Sequence, residues 1–197
     1  MSKKESTFLN MTVSLLLITL ISGFALGFVN DLTIEPKAKA KLEKKINAIK
    51  QVLPEFNNNP VKDLKKVKLE TATDSIEVYP AYNNEEFVGA AVTGFSEKGF
   101  SGLVKIMVGF KPDGSIRNIA VLEQKETPGL GTKMKDESFL QQFRNKNPNT
   151  FNIMVKKDGG EVDALTGATI SSRAFTEAAH MAYNVFLENK DAFKPSK

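Results

Sequence analysis

A run of 25 uncharged residues, Ser6 to Asn30, constrains this chain more than any other feature. No Asp, Glu, Lys or Arg lies between Glu5 and Asp31, and Leu, Ile, Val, Phe and Met dominate the interval. At about 1.5 Å per residue, a helix of that length crosses a hydrocarbon layer of about 30 Å with some tilt. Core helices of soluble domains rarely go so far without a charge. A cleaved secretory signal would carry an apolar core of only about 7–15 residues. The run therefore reads as an uncleaved signal anchor, a transmembrane helix within residues 1–30. Gly23 and Gly27 form a small-xxx-small pair that lets another helix approach closely. The flanking charges leave the orientation open. Lys3 and Lys4 precede the run, and Lys37, Lys39, Lys41, Lys44 and Lys45 follow it. Positive-inside counting keeps the following domain in the cytoplasm. A short basic tail before an apolar run is instead the pattern of an export signal.

The rest of the 197 residues suffice for one domain. With no Cys there is no disulfide framework, thiolate metal site or cysteine nucleophile. The single histidine, His180, removes multi-histidine metal sites and reads as a surface or packing residue. A net charge of +4 without a clustered basic patch gives no reason to expect nucleic acid as a partner.

Past the anchor, Leu42, Ile46, Ile49 and Leu53 fall on one face of a helix over Lys37 to Leu53, closed by Pro54 and the Asn57–Pro60 stretch. Residues 31–60 are thus a linker helix, and 61–197 the domain proper. There the apolar period changes. Ile76–Tyr79, Phe87–Phe95, Leu103–Phe110 and Ile116–Leu122 are rich in Val, Ile, Phe and Tyr. Turn residues at Asn83-Asn84, Lys98-Gly99 and Pro112-Asp113-Gly114 separate them. Short strands joined by tight turns predict an antiparallel sheet. A short helix capped by Asp136 or Ser138 carries Phe139, Leu140 and Phe143. A further strand is expected at Phe151–Val155, before a turn at Asp158-Gly159-Gly160. A helix over Ser171–Leu187 follows, with Ala174, Ala178, Met181, Ala182, Val185 and Phe186 near one face. The class is α+β, an antiparallel sheet with packed helices behind a transmembrane helix.

The segment that carries chemistry is Asp163 to Arg173, a loop of small residues entering that last helix. Gly167 and Ala168 leave room for a group to approach the backbone, and Ser171 or Ser172 is placed to cap the helix. The first turn of a helix presents unsatisfied N–H groups and the positive end of the dipole, which suit a phosphate. Arg173 would add a charged donor. Thr166 and Thr169 place hydroxyls just ahead. Read alone, the segment is more simply an ordinary turn with a cap, since capping Ser and Thr are routine.

The run Asp163-x-x-Thr166-Gly167-Ala168-Thr169, followed by Ser171-Ser172-Arg173, resembles the covalent flavinylation motif of the FMN-binding domain family. That family includes the G subunit of the Rnf electron-transport complex and the C subunit of the Na⁺-translocating NADH:quinone reductase (Nqr). The resemblance implies FMN joined by a phosphoester bond to Thr169, placed there from FAD by a separate flavin transferase using a metal ion. Thr166, Gly167, Ala168, Ser171 and Ser172 would surround the linkage. The family often has Ser at the position of Thr166. A second element, Glu126-Thr127-Pro128-Gly129-Leu130-Gly131 followed by Lys133, resembles the loop that lies against the flavin in the family. It implies contacts from Glu126, Thr127, Leu130 and Lys133.

The resemblance covers the whole chain, anchor included, and the length is nearer the Rnf member than the Nqr member. It implies an electron-relay subunit of a membrane ion-translocating ferredoxin:NAD⁺ oxidoreductase, bound to other membrane subunits. It also implies a single pass through the cytoplasmic (inner) membrane, with the domain on the outer side. No substrate pocket or acid–base pair is legible, so the chain reads as a relay and not as a complete enzyme. An Nqr-type subunit or a stand-alone extracellular flavoprotein is the alternative within the redox class. A membrane-tethered assembly or binding module that never carries flavin is the alternative outside it.

Overall fold

The computed structural model describes residues 7–67 and 75–193. Lys3 and Lys4, which bear on orientation, lie outside them. The chain divides into two units, Met1–Glu43 and Lys44–Lys197.

Helix α1 runs from Phe8 to Val52. Among the described helices it is the one long and apolar enough to cross a membrane. Its large apolar side chains from Phe8 to Ile34 stand exposed. The threonines of this stretch are satisfied within the helix. Thr12 donates to the Phe8 carbonyl at 2.9 Å, Thr19 to that of Leu15 at 3.0 Å and Thr33 to that of Asn30 at 2.9 Å. In hydrocarbon no water would do this for them. Pro36 sits inside the helix beyond the apolar run. It lacks the N–H that would bond the Leu32 carbonyl.

The second unit is built on a five-stranded antiparallel meander in the order β1 (Lys65–Val67), β2 (Ile76–Asn83), β3 (Glu86–Gly99), β4 (Gly102–Phe110) and β5 (Ile116–Glu123). Alternation along the strands sends side chains to two faces. One face presents Ile76, Val78, Ala90, Val92, Ile106, Val108 and Ile119 to a core shared with α3 (Thr169–Asn189). The other presents Tyr79, Ala81, Ala91, Met107 and Ala120 to Ala48, Ile49 and Val52 at the end of α1 and to Leu53 just after it. Fully burying one such aliphatic side chain stabilises by about 1.5–3 kcal/mol. Of the expected linker-helix face, Ile49 and Leu53 are buried, whereas Leu42 is 49% exposed.

Each packed helix is also held by polar contacts. Lys45 on α1 donates to both Glu77 oxygens, at 2.7 and 2.6 Å, and Tyr79 donates to Glu77 Oε2 at 2.8 Å. Burial pushes the Glu77 carboxyl up, but Lys45 and Tyr79 outweigh it and hold the group below the usual glutamate value. The same burial and the neighbouring carboxylate push the Tyr79 hydroxyl up. On the opposite face α3 lies so close to β3 that a Cβ on Gly94 would come within 2.0 Å of the Ala178 carbonyl oxygen.

The turns are regular. Asn84 and Glu85, at φ 48° and 69°, close a two-residue hairpin between β2 and β3, one residue later than the sequence predicts. Strand β3 continues through Gly99, so the next turn is Phe100-Ser101 and not Lys98-Gly99. A register irregularity between Ser96 and Gly99 precedes it, where the Lys98 N–H bonds the Ser96 hydroxyl. Three further expectations are corrected. Strand β1 is unforeseen, being three residues long and two of them lysine. Phe151–Val155 is not a strand: a single parallel bridge joins Val155 to Val162. There the Asn152 N–H goes to the Glu161 carboxylate and the Met154 N–H to the Asn152 side chain, so donors are satisfied locally. Asp136 does stand at the N-cap of the short helix α2 (Glu137–Leu140), but without a side-chain capping bond.

Two outcomes follow for the full chain in detergent. Gly94→Ala should lower stability by about 1–3 kcal/mol through overpacking, read by thermal unfolding. An unchanged melt would mean that α3 does not bear on β3 as described. For Glu77, a folded value below the usual 4.5 means a contribution that is complete above 4.5 and lost as pH falls through the folded value. Melting temperature should therefore fall more steeply between about pH 5 and pH 3 in the parent chain than in Glu77→Gln. Parallel pH profiles would contradict this.

Candidate functional site

Four separated segments meet at one end of the sheet and enclose a groove of about 680 Å³. The tip of the β3–β4 hairpin supplies Phe100. The loop after β5 supplies Glu126, Thr127, Leu130 and Gly131. A 3₁₀ turn at Lys156–Asp158 supplies Lys157. The entry into α3 supplies Gly167, Ala168, Thr169, Ile170 and Ser171. The size is that of a small-molecule site.

Glu126 fastens these segments. It is 4% exposed. Its Oε1 accepts the Ser101 N–H of the hairpin tip at 3.1 Å, and its Oε2 accepts the Ser171 hydroxyl of α3 at 2.5 Å. A buried carboxylate is tolerated only with such partners. Gly131 packs into the same knot: a Cβ there would lie 2.6 Å from the Ser171 hydroxyl and 2.7 Å from Glu126 Cβ. The loop between is bonded to itself, Gly129 N–H to the Thr132 hydroxyl at 2.9 Å and Leu130 N–H to the Thr127 carbonyl at 3.2 Å. It holds Leu130 out, 43% exposed.

Helix α3 begins earlier than its serines suggest. Thr169 is its first residue, Ala168 occupies the N-cap position, and no side chain caps it. Ser171 and Ser172 lie inside the first turn, so neither is the cap. Ser172 is fully buried and serves the incoming loop, donating to the Ala168 carbonyl and accepting the Leu165 N–H, both at 2.9 Å. Gly167, at φ 75°, makes the bend. The N–H groups of Thr169, Ile170 and Ser171 begin the helix, where no intrahelical acceptor exists. The half-buried Thr169 hydroxyl accepts from Lys157 Nζ at 3.4 Å.

The structure thus brings Glu126, Thr127, Leu130, Gly167, Ala168, Thr169 and Ser171 to one groove. Thr166, Lys133 and Ser172 are not in its lining. Thr166 is exposed on the loop, Lys133 is exposed on a 3₁₀ turn over Gly131–Lys135, and Ser172 lies beneath. Arg173, read as a donor to the site, is instead held bidentately by Asp158, with both contacts at 2.7 Å. That guanidinium keeps the Asp158 carboxyl below the usual aspartate value. Sequence reasoning missed Phe100, Lys157 and Ile170. Phe100 is 68% exposed at the hairpin tip, and a single exposed apolar residue is too common to have pointed to the site. Lys157 carried no signal, because only the fold brings it to Thr169. His180 lines a separate cleft of about 600 Å³ with Phe151, Met154, Arg173 and Glu177.

Chemically, the groove pairs an apolar platform (Phe100, Leu130, Ile170) with a corner holding an alcohol, an ammonium and helix-start amides. That combination suits a planar aromatic ring bearing a phosphate. Glu126→Ala should destabilise the domain by about 1–3 kcal/mol, because the Ser101 N–H and Ser171 hydroxyl lose their partner. Glu126→Gln should cost less. A melt of Glu126→Ala that overlays the parent would show that the knot does not hold these segments together.

Comparison with known proteins gives a consistent answer. The model of the FMN-binding domain matches residues 99–184. The G subunit of the Na⁺-translocating ferredoxin:NAD⁺ oxidoreductase complex of Acetobacterium woodii is 31% identical over 183 residues, covering 87% of this chain and 88% of that protein. The G subunit of the ion-translocating oxidoreductase complex of Aliivibrio fischeri is 34% identical over 161 residues, 77% of each chain. Its counterpart from Cereibacter sphaeroides is 29% identical over 181 residues, 86% of this chain and 80% of that one. Among solved structures, the crystal structure of Shewanella oneidensis NqrC superposes with a TM-score of 0.50 at 20% identity, over 73% of this chain and 70% of that one, a likeness of fold. With an FMN-binding domain where the groove is built, and relatives matched along most of both lengths, this chain belongs to the G-subunit family of ion-translocating oxidoreductase complexes.

Proposed function

We propose that the protein is the electron-relay subunit of a membrane ion-translocating ferredoxin:NAD⁺ oxidoreductase, and that it carries FMN through a phosphoester to Thr169. The observation that carries the second part is the placement of Thr169. Its hydroxyl stands at the groove, at the first position of a 21-residue helix, with an ammonium beside it. The residues fit FMN. Phe100, Leu130 and Ile170 give the ring an apolar wall, and Thr127 gives its edge a polar neighbour. The helix-start amides and Lys157 face the phosphate position. When bound, FMN supplies the electron transfer, and the chain positions it. Because the groove is an open surface feature, the ring stays within reach of an electron partner.

Attachment is the work of a separate flavin transferase. It moves the FMN moiety of FAD to the Thr169 oxygen, and AMP leaves. Helix α1 anchors the chain in the membrane. We take residues 1–30 as the membrane segment, 31–60 as the linker and 61–197 as the FMN-binding domain. We place the anchor in the cytoplasmic membrane with the domain on its outer side, against other membrane subunits of the complex.

Co-expression with an active flavin transferase tests the linkage. The denatured parent band should fluoresce as flavin, and Thr169→Ala should be dark while melting within about 1 kcal/mol of the parent. A dark parent band beside a labelled control protein would sink the covalent reading and leave a tethered binding module. Protease added outside intact cells should cut the domain, and protection there would reverse the topology.

A further inference from the structure

We propose that Lys157 is the charge partner of the phosphate on Thr169, assisting its transfer and then holding it against the start of α3. This rests on reading Thr169 as the FMN acceptor. Three cations lie on the described segments around that hydroxyl, and two are committed elsewhere. Lys156 pairs with Asp163 at 2.7 Å, and Arg173 is engaged by both oxygens of Asp158. Lys157 alone of the three has the Thr169 hydroxyl as its partner, at 3.4 Å.

Its neighbours aim it. Lys156 and Asp158, on either side, make those ion pairs, and their backbone N–H groups bond the Val162 and Val155 carbonyls, both at 2.8 Å. The turn carrying Lys157 is therefore pinned at both ends while its own ammonium faces the groove. Its charge also answers a specific problem. Among the described residues, the other charged group in the groove lining is the carboxylate of Glu126, of the same sign as a phosphodiester. Without a cation, an anionic linkage would be placed near a fixed anion.

During transfer the Thr169 oxygen forms a bond to the flavin-side phosphorus of FAD. The pyrophosphate P–O bond breaks, AMP departs with the bridging oxygen, and the hydroxyl proton passes to a base of the transferase. The step is redox neutral. By donating to the Thr169 oxygen, Lys157 leaves the hydroxyl proton turned outward and stabilises charge as it develops on that oxygen. Afterwards the same ammonium lies within reach of the phosphoryl oxygens, a charge-assisted contact.

The test uses the full chain in detergent, with flavin transferase and FAD, as parent, Lys157→Gln, Lys157→Arg and Thr169→Ala. Attachment is followed as the mass gain of intact protein, and the loaded chains are compared by flavin fluorescence anisotropy. Lys157 is exposed, so the variants should melt as the parent does. Lys157→Gln should slow attachment about tenfold, the scale of one charge-assisted contact, and its loaded form should depolarise faster. Lys157→Arg should recover most of both. Parent-like attachment and parent-like anisotropy in Lys157→Gln would overturn the proposal and leave the Thr169 assignment standing. A parent chain that gains no mass would remove the Thr169 assignment and this proposal together.

Discussion

The site depends on one buried carboxylate. Glu126 joins a hairpin tip, the loop after β5 and the first turn of α3, none of which is adjacent in sequence. The bond to Ser171 is buried and that to Ser101 part-buried, and a hydrogen bond away from water is stronger than one at the surface. The groove is therefore a consequence of how the carboxylate is satisfied. With Glu126 held, Phe100, Leu130 and Thr169 are brought round a common opening, and Gly131 admits the close crossing that lets this happen.

The sheet serves as a divider. Its two faces bury different partners, α3 on one and the end of α1 on the other, and each partner is fixed by packing as well as by polar contacts. On the α3 face Ser96 donates to Glu177 at 2.6 Å, and on the α1 face Glu77 receives Lys45. Because α3 is pressed to β3 at Gly94, its N-terminus is a fixed point from which Thr169 projects. A loop residue would have no such reference. A side chain on a rigid element holds its place, which is what any precise site chemistry needs.

Much of this could be read from the residues and some could not, for physical reasons. The four long strands announce themselves through their Val, Ile, Phe and Tyr content and the turn residues between them, and α3 through its apolar face. Strand β1 does not, because Lys65-Lys66-Val67 lacks that composition and exists through pairing with β2. Phe151–Val155 has the composition of a strand, yet Asn152 and Glu161 side chains take its donors and leave no ladder to form. Ser171 and Ser172 look like caps because caps are recognised by residue type. Here the helix has already begun at Thr169, and both hydroxyls are drawn into buried contacts. Thr169 and the loop at Glu126 were legible as motifs, since each lies in a contiguous run. Arg173 and Lys157 were not, because the target of a long flexible side chain is set by whatever the fold brings near.

One detail of α1 bears on where its apolar run would end in a membrane. A proline in a helix leaves a carbonyl one turn back without its usual donor, and in hydrocarbon such a group costs several kcal/mol. Pro36 assigns that role to the Leu32 carbonyl, immediately past Asp31, the first charge after the apolar run. Both features call for water or headgroups at the same level. With the apolar run in lipid, the edge of the hydrocarbon would be marked twice, by a side chain that repels it and by a backbone oxygen that cannot be left dry.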